Sequence, residues 1–207
     1  MPRFGTAAAT VTGALAAVVL AAVAGCQSSA PAAAHSGERP ALPKVPPVHL
    51  LSAERAPAGW HYLFLPGGGA VLAFPPSMHR VQGDHGTVSV AEFGASGSYL
   101  LYLNATPKQG HETLRDWPQF RINHVADEEH TTPRMLAASQ GVPFLGGTGT
   151  CVIDTYVTKV KSNHYTEVAC YVQGKTSASV IIGAAPTADW ARASGPLKRA
   201  VAAYRVR

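Results

Sequence analysis

From Gly59 onward, glycine-rich punctuation cuts the chain into short apolar runs, and this spacing restricts the fold more than any other feature of the sequence. WHYLFL (60–65) and AVLAF (70–74) flank PGGG, and TVSVAEF (87–93) and SYLLYLNA (98–105) flank GASG. Short runs rich in β-branched and aromatic residues, joined by a few turn formers, predict antiparallel hairpins. Four more runs follow: RMLAASQGVPF (134–144), GTCVIDTYVTKV (149–160), YTEVACYVQ (165–173) and SASVIIGA (177–184). In WHYLFL, Trp60, Tyr62 and Phe64 alternate with His61, Leu63 and Leu65. Both faces are therefore expected in the core, with a lining for an apolar ligand as the alternative.

Two segments carry helical periodicity instead. HETLRDWPQFRINHVADEE (111–129) places Leu114, Trp117, Phe120, Arg121, His124 and Val125 near one face, with Thr113 as N-cap and an irregular first turn forced by Pro118. At the C-terminus, TADWARAS meets a Gly195-Pro196 break, and PLKRAVAAYRV follows with Pro196 at N1 and Leu197, Val201 and Tyr204 spaced i, i+4, i+7. Hairpins with one helix inserted and one at the end predict an α+β domain, a largely antiparallel β-sheet with flanking helices. Residues 59–207 are long enough for a single domain that buries about 70% of its unfolded surface.

The N-terminal part is of a different kind. Arg3 is followed by an apolar run of 11 residues, Ala14 to Ala24. A spanning helix needs about 20 such residues and a signal-peptide core about 7 to 15, so residues 1–25 read as a signal peptide, with an uncleaved anchor as the alternative. The tetrapeptide VAGC (23–26) then resembles the lipobox of bacterial lipoproteins. That resemblance implies diacylglyceryl attachment at Cys26 and further acylation of palmitate type, because one acyl chain anchors only marginally and two anchor stably. The expected location is the outer face of the bacterial cytoplasmic membrane. Residues 26–58 carry prolines at 31, 40, 43, 46, 47 and 57 without an apolar period. They read as a disordered tether of about 30 residues, able to reach roughly 90 Å at ~3.1 Å per residue, from which Leu50 and Leu51 dock on the domain. Cleavage before Cys26 removes only Arg3 among the charged residues, so the net charge falls from +5 to +4. A balance this mild lacks the concentrated basic face of a nucleic-acid binder.

With Cys26 lipidated, Cys151 and Cys170 remain in an oxidising compartment on adjacent predicted strands, and a disulfide between them is expected. Opposite pairing sets Ile153 against Val168 and Thr155 against Thr166 and leaves a loop near Thr158 to Asn163. A tighter turn at Ser162-Asn163 would offset the cysteines by about two pair positions, and two buried free thiols are the alternative.

Patterns for catalysis are sparse. GASGS (94–98) lacks the last glycine of the G-x-S-x-G elbow, and the chain contains no Ser-x-x-Lys. FLGGTGTC (144–151) leads into a strand where a phosphate loop needs a helix N-terminus. Both read as turns. The nine histidines include no pair at i, i+2 or i, i+4, and DEEH (127–130) reads as a solvated helix end, or as carboxylates for a hard cation. No cofactor is expected. Arg192, Lys198, Arg199, Arg205 and Arg207 gather in the final segment, as a partner-binding basic patch or as cations favoured near a helix C-terminus.

The order of hairpin, FPPSM, two strands, helix and a strand meander closing on DW…PLKRAVAAYRV resembles the PsbP/Mog1-like fold, and more closely the LpqN-type lipoproteins of mycobacteria and related actinobacteria. The resemblance implies an α/β/α sandwich whose relatives act mostly by binding other proteins, and it carries no catalytic residue onto this chain. A non-enzymatic, membrane-anchored domain that binds an envelope protein or envelope component is the function it implies. A carrier for an apolar small molecule or lipid is the alternative.

Overall fold

The computed structural model describes residues 44–49, 52–160 and 162–207. The signal peptide, Cys26, most of the tether, and Leu50 and Leu51 lie outside them. The expected hairpins form: β1 (His61–Phe64) with β2 (Ala70–Phe74), and β4 (Val88–Phe93) with β5 (Tyr99–Pro107). A short strand that the sequence did not signal, β3 (His79–Val81), follows the FPPSM stretch and pairs with β4. After α1 (Trp117–Glu129) come β6 (Arg134–Phe144), β7 (Gly147–Val157), β8 (His164–Gly174) and β9 (Ala178–Pro186). A 3₁₀ turn (Thr187–Asp189), α2 (Trp190–Ala202) and β10 (Arg205–Val206) complete the chain. Seven strands form one antiparallel sheet in the order β3-β4-β5-β9-β8-β7-β6, and β1, β2 and β10 form a second sheet in the order β1-β2-β10.

Side-chain alternation divides the large sheet cleanly into two faces. One carries Val88, Val90, Leu101, Leu103, Val168, Val172 and Ile181, and it packs with Leu72 and Met78 near the small sheet and with Ala193, Leu197, Ala200 and Val201 of α2 into the main core. The other face packs α1 through Trp117 on Val152, Ala169, Tyr171 and Val180. The Trp117 indole N–H donates to the Ala169 carbonyl at 3.0 Å, so the buried ring leaves no orphan donor.

Cys151 and Cys170 sit opposite each other with Cα atoms 4.1 Å apart and are bonded. The register is the one that also sets Ile153 against Val168 and Thr155 against Thr166, and Thr158 N–H donates to the Asn163 carbonyl across the loop end. FLGGTGTC forms the tight β6–β7 connection, where Gly146 has φ +87° and a side chain would collide with the Val206 carbonyl.

Four expectations need correction. The first helix begins at Trp117, not near Thr113: Pro118 lies in its first turn, where the missing N–H costs nothing, and Asp116 is the N-cap. Thr113 instead holds the preceding turn, its hydroxyl accepting the Asp116 N–H at 3.2 Å. The last helix runs unbroken through Gly195-Pro196, because Ala193 before the pair and Leu197, Ala200 and Val201 after it are all buried against the sheet. That apolar face outweighs one lost backbone bond. The domain begins earlier than residue 59, since Ala138 N–H donates to the Pro46 carbonyl, Val48 N–H donates to the Ser139 hydroxyl, and Val48 is buried. The end of the proline-rich segment is thus anchored on β6. Finally, β1 is not buried on both faces: Tyr62 is 52% and Phe64 62% exposed, because β1 edges the small sheet and nothing covers its outer side among the described residues.

Replacing both Cys151 and Cys170 by alanine should cost about 3 kcal/mol, the entropy of a loop of this size. Chemical denaturation of the variant against the oxidised protein reads the difference. A shift below about 1 kcal/mol would show that the cross-strand packing carries this hairpin without the bond.

Candidate functional site

Helix α1 covers only half of its sheet face. It lies over β7 with lesser contact to β6 and β8, and beside it the outward residues of β5 stay half-exposed while Ser89 and Ala91 of β4 and Val180 and Ala184 of β9 are buried. Burial follows from this placement: Tyr102, Asn104 and Thr106 on β5 are half-exposed while Leu101, Leu103 and Ala105 between them are buried. The result is a groove of about 400 Å³ walled by α1 on one side and floored by β5 and β9, with Trp117, Phe120, Arg121 and His124 from the helix facing Asn104, Ile182 and Ala184 from the sheet.

The inner wall is built from charge. Arg121 grips Glu167 in a bidentate pair, Nε to Oε1 at 2.6 Å and Nη2 to Oε2 at 2.9 Å, both residues buried. Burial alone would ease the proton off Arg121, but the Glu167 carboxylate more than reverses this and holds the guanidinium charged. Such a pair is costly to desolvate and specifies geometry more than it stabilises. Here it fixes how α1 sits over β8.

Directly opposite Glu167 in the β7–β8 register is Asp154, fully buried, whose two carboxyl oxygens find no hydrogen-bond donor. Burial first, and the neighbouring Glu167 carboxylate second, push its pKa up to about 9. Asp154 is thereby pushed toward its protonated form at neutral pH, in which the carboxyl carries a proton it can offer to the Glu167 carboxylate opposite. The Tyr156 phenol next along β7 is likewise held above its ordinary range, by burial and then by Glu167.

The outer part of the groove is aromatic. Tyr99 and Tyr102 stack at 5.6 Å between ring centroids, Phe93 tilts against Tyr99 at 5.2 Å, and Tyr156 and Tyr165 stack at 6.3 Å. These two groups stand on either side of β9, where Ala184, opposite both Tyr102 and Glu167, leaves a trough between them. Tyr102 is held in place by Ser89, whose hydroxyl lies 3.2 Å from the phenol and accepts from the Asn104 amide at 2.9 Å. At the other end of the groove, the buried Glu112 carboxylate accepts the Gln109 and Gly110 N–H groups and closes the loop before α1.

Of the residues singled out by sequence, Trp117, Phe120, Arg121, His124, Glu128 and Glu129 line the groove or its outer end, and the others are placed elsewhere. Cys151 and Cys170 face the main core on the other side of the sheet. Arg192 pairs with Asp189 at 2.9 Å in the first turn of α2, Arg199 lies in its last turn, Lys198 is adjacent, and Arg205 is on β10. Of the DEEH stretch, Glu128 pairs with His124 at 3.1 Å, Glu129 accepts the Lys159 N–H, and His130 ends α1 in a left-handed conformation. No group of three or more potential metal ligands occurs among the described residues. Sequence reasoning missed Glu167 and Asp154, although two acids facing each other at core positions of neighbouring strands were the available signal.

Because Asp154 binds its proton more tightly folded than unfolded, it contributes stability that is complete below about pH 4 and is lost as the pH rises toward 9. Asp154→Asn keeps a neutral donor toward Glu167 without a proton to lose. Relative to the native protein it should gain on the order of 4 kcal/mol between pH 5 and pH 8, about 1.4 kcal/mol per pH unit. Denaturation curves at both values measure this, and parallel pH profiles for the two proteins would contradict a protonated Asp154.

No protein-family model and no curated protein sequence matches the chain. Solved structures are nevertheless similar in fold. The solution structure of cyanobacterial PsbP (CyanoP) from Synechocystis sp. PCC 6803 gives a TM-score of 0.56 at 10% identity, over 73% of this chain and 95% of that one. A crystal structure from Bacteroides thetaiotaomicron gives 0.43 at 12% identity, over 70% of this chain and 48% of that one. A Pseudomonas aeruginosa protein of unknown function gives 0.40 at 9% identity, over 69% and 94%. The sheet order, the two flanking helices and the CyanoP likeness together make this chain a PsbP-like α+β fold.

Proposed function

We propose that this chain is a lipid-anchored protein on the outer face of the cytoplasmic membrane, whose domain binds an envelope component without catalysis. The groove beside α1 is the observation that carries the reading: a preformed, partly aromatic concavity of about 400 Å³, the kind of surface in which ligands are held. Several of its polar side chains are held in structural roles, Arg121 by Glu167, His124 by Glu128 and Glu112 by the Gln109 and Gly110 N–H groups. The VAGC lipobox with Cys26, the proline-rich tether and the resemblance of the layout to LpqN-type lipoproteins support the anchoring. A carrier for apolar molecules suits the groove less well, since Asn104, Arg121, Glu167 and the tyrosine hydroxyls line it.

A photo-crosslinking residue placed at Asn104, in membranes of the native host, should yield a reproducible adduct that is missing when the same residue is placed at the exposed Ala191 on α2. Cys26→Ala should shift the protein out of the membrane fraction or leave it unprocessed. Identical adducts from both positions would sink the groove as the binding site, and unchanged anchoring of Cys26→Ala would sink the lipidation.

A further inference from the structure

The trough at the outer end of the groove has a chemistry of its own. Its aromatic walls, Phe93, Tyr99 and Tyr102 on one side and Tyr156 and Tyr165 on the other, stand about the small floor residue Ala184. Glu129 is the one charged side chain in its lining, and no lysine or arginine lines it among the described residues. Along the adjoining groove stand the exposed Asp84 and Glu128 and the buried Glu112 and Glu167, against Arg121, which pairs with Glu167, and His124. In a chain of net charge +5, this surface is locally acidic. The tyrosines sit in the same surroundings: burial first, then Glu167, with Arg121 opposing, holds Tyr156 above its ordinary range, and burial first, with Asp84 adding a little, raises Tyr102.

A trough of electron-rich rings beside acidic groups, with no cation in its lining among the described residues, is complementary to an organic cation, which gains from ring quadrupoles within about 6 Å of the centroid. The shape selects among cations. The trough shares Tyr102, Tyr156 and Ala184 with the groove beside α1, so the two adjoin end to end along the sheet. Its mouth carries Phe93, 46% exposed, and Val160, 70% exposed, an apolar rim of the kind that surrounds an anchor at protein interfaces. A free ammonium ion would use neither the length nor the rim.

We infer that the trough receives a lysine or arginine side chain from an extended segment of a partner protein, which runs along the groove beside α1 and packs on Phe93 and Val160. This rests on the groove being the binding site, and it names the chemistry of the occupant.

The test uses the full chain and a six-residue peptide of alternating lysine and glycine, blocked at both ends, with norleucine and glutamate counterparts. The lysine peptide should bind, shift the ring resonances of Tyr99, Tyr102 and Tyr165, and weaken as salt rises. Tyr102→Leu, which keeps apolar bulk but removes the ring face, should weaken it about tenfold, and Tyr102→Phe should restore it. Equal binding of the norleucine peptide, or full affinity in Tyr102→Leu, would overturn the proposal. Binding of tetramethylammonium as tight as the lysine peptide would overturn the extended segment and leave a small free cation as the ligand. Failure of all peptides while the Asn104 adduct persists would remove the cationic occupant alone. Loss of that adduct removes the groove itself.

Discussion

The Arg121–Glu167 pair is the contact on which the rest of this face depends. A helix laid on a sheet by apolar packing alone could slide by a residue with small penalty, but a bidentate guanidinium–carboxylate pair at 2.6 and 2.9 Å has one geometry. Removing either partner would strand a buried charge, at a cost of about 3–5 kcal/mol. The pair therefore pins α1 over β7 and β8, and by doing so it decides which part of the sheet stays half-exposed. The groove is the geometric remainder of that placement.

Asp154 shows what the arrangement demands in return. Two acids opposite each other on buried strands cannot both ionise beside one guanidinium. Glu167 accepts both arms of Arg121, and it is Asp154 that is pushed toward its protonated form. The triad is then neutral overall, which lets it sit under the helix, while Glu129 and Asp84 at the solvent side give the groove its negative character.

The fold was legible in the sequence because its signals are local. Glycine clusters mark the hairpins, period-two alternation marks strands with two distinct faces, and the matching of Ile153 with Val168 and Thr155 with Thr166 fixes the register that brings Cys151 to Cys170. What the sequence concealed depends on tertiary context. Pro196 reads as a break until Leu197 and Val201 are seen buried beyond it. Tyr62 and Phe64 read as core until β1 proves to be an edge with an open side. The groove was hidden for the same reason: Tyr99, Tyr102, Tyr156 and Tyr165 are ordinary strand residues in the sequence, separated by up to 66 positions, and only the insertion of β9 between β5 and β8 sets them across a trough.

That insertion also explains why this domain can offer a binding surface without weakening its core. The two faces of the large sheet do unequal tasks. The face toward α2 carries the disulfide, the small sheet and nearly all the large buried aliphatics, so stability resides there. The face toward α1 is held by a small cluster around Trp117 and by one ion pair, and it can leave β5 half-exposed because the opposite side already secures that strand. Substitutions at Tyr99, Tyr102 or Asn104 therefore act on the surface and barely on the fold, since each is half-exposed while its neighbours Leu101, Leu103 and Ala105 fill the core. A sheet divided in this way lets the exposed side chains change with a ligand while the register beneath them stays fixed.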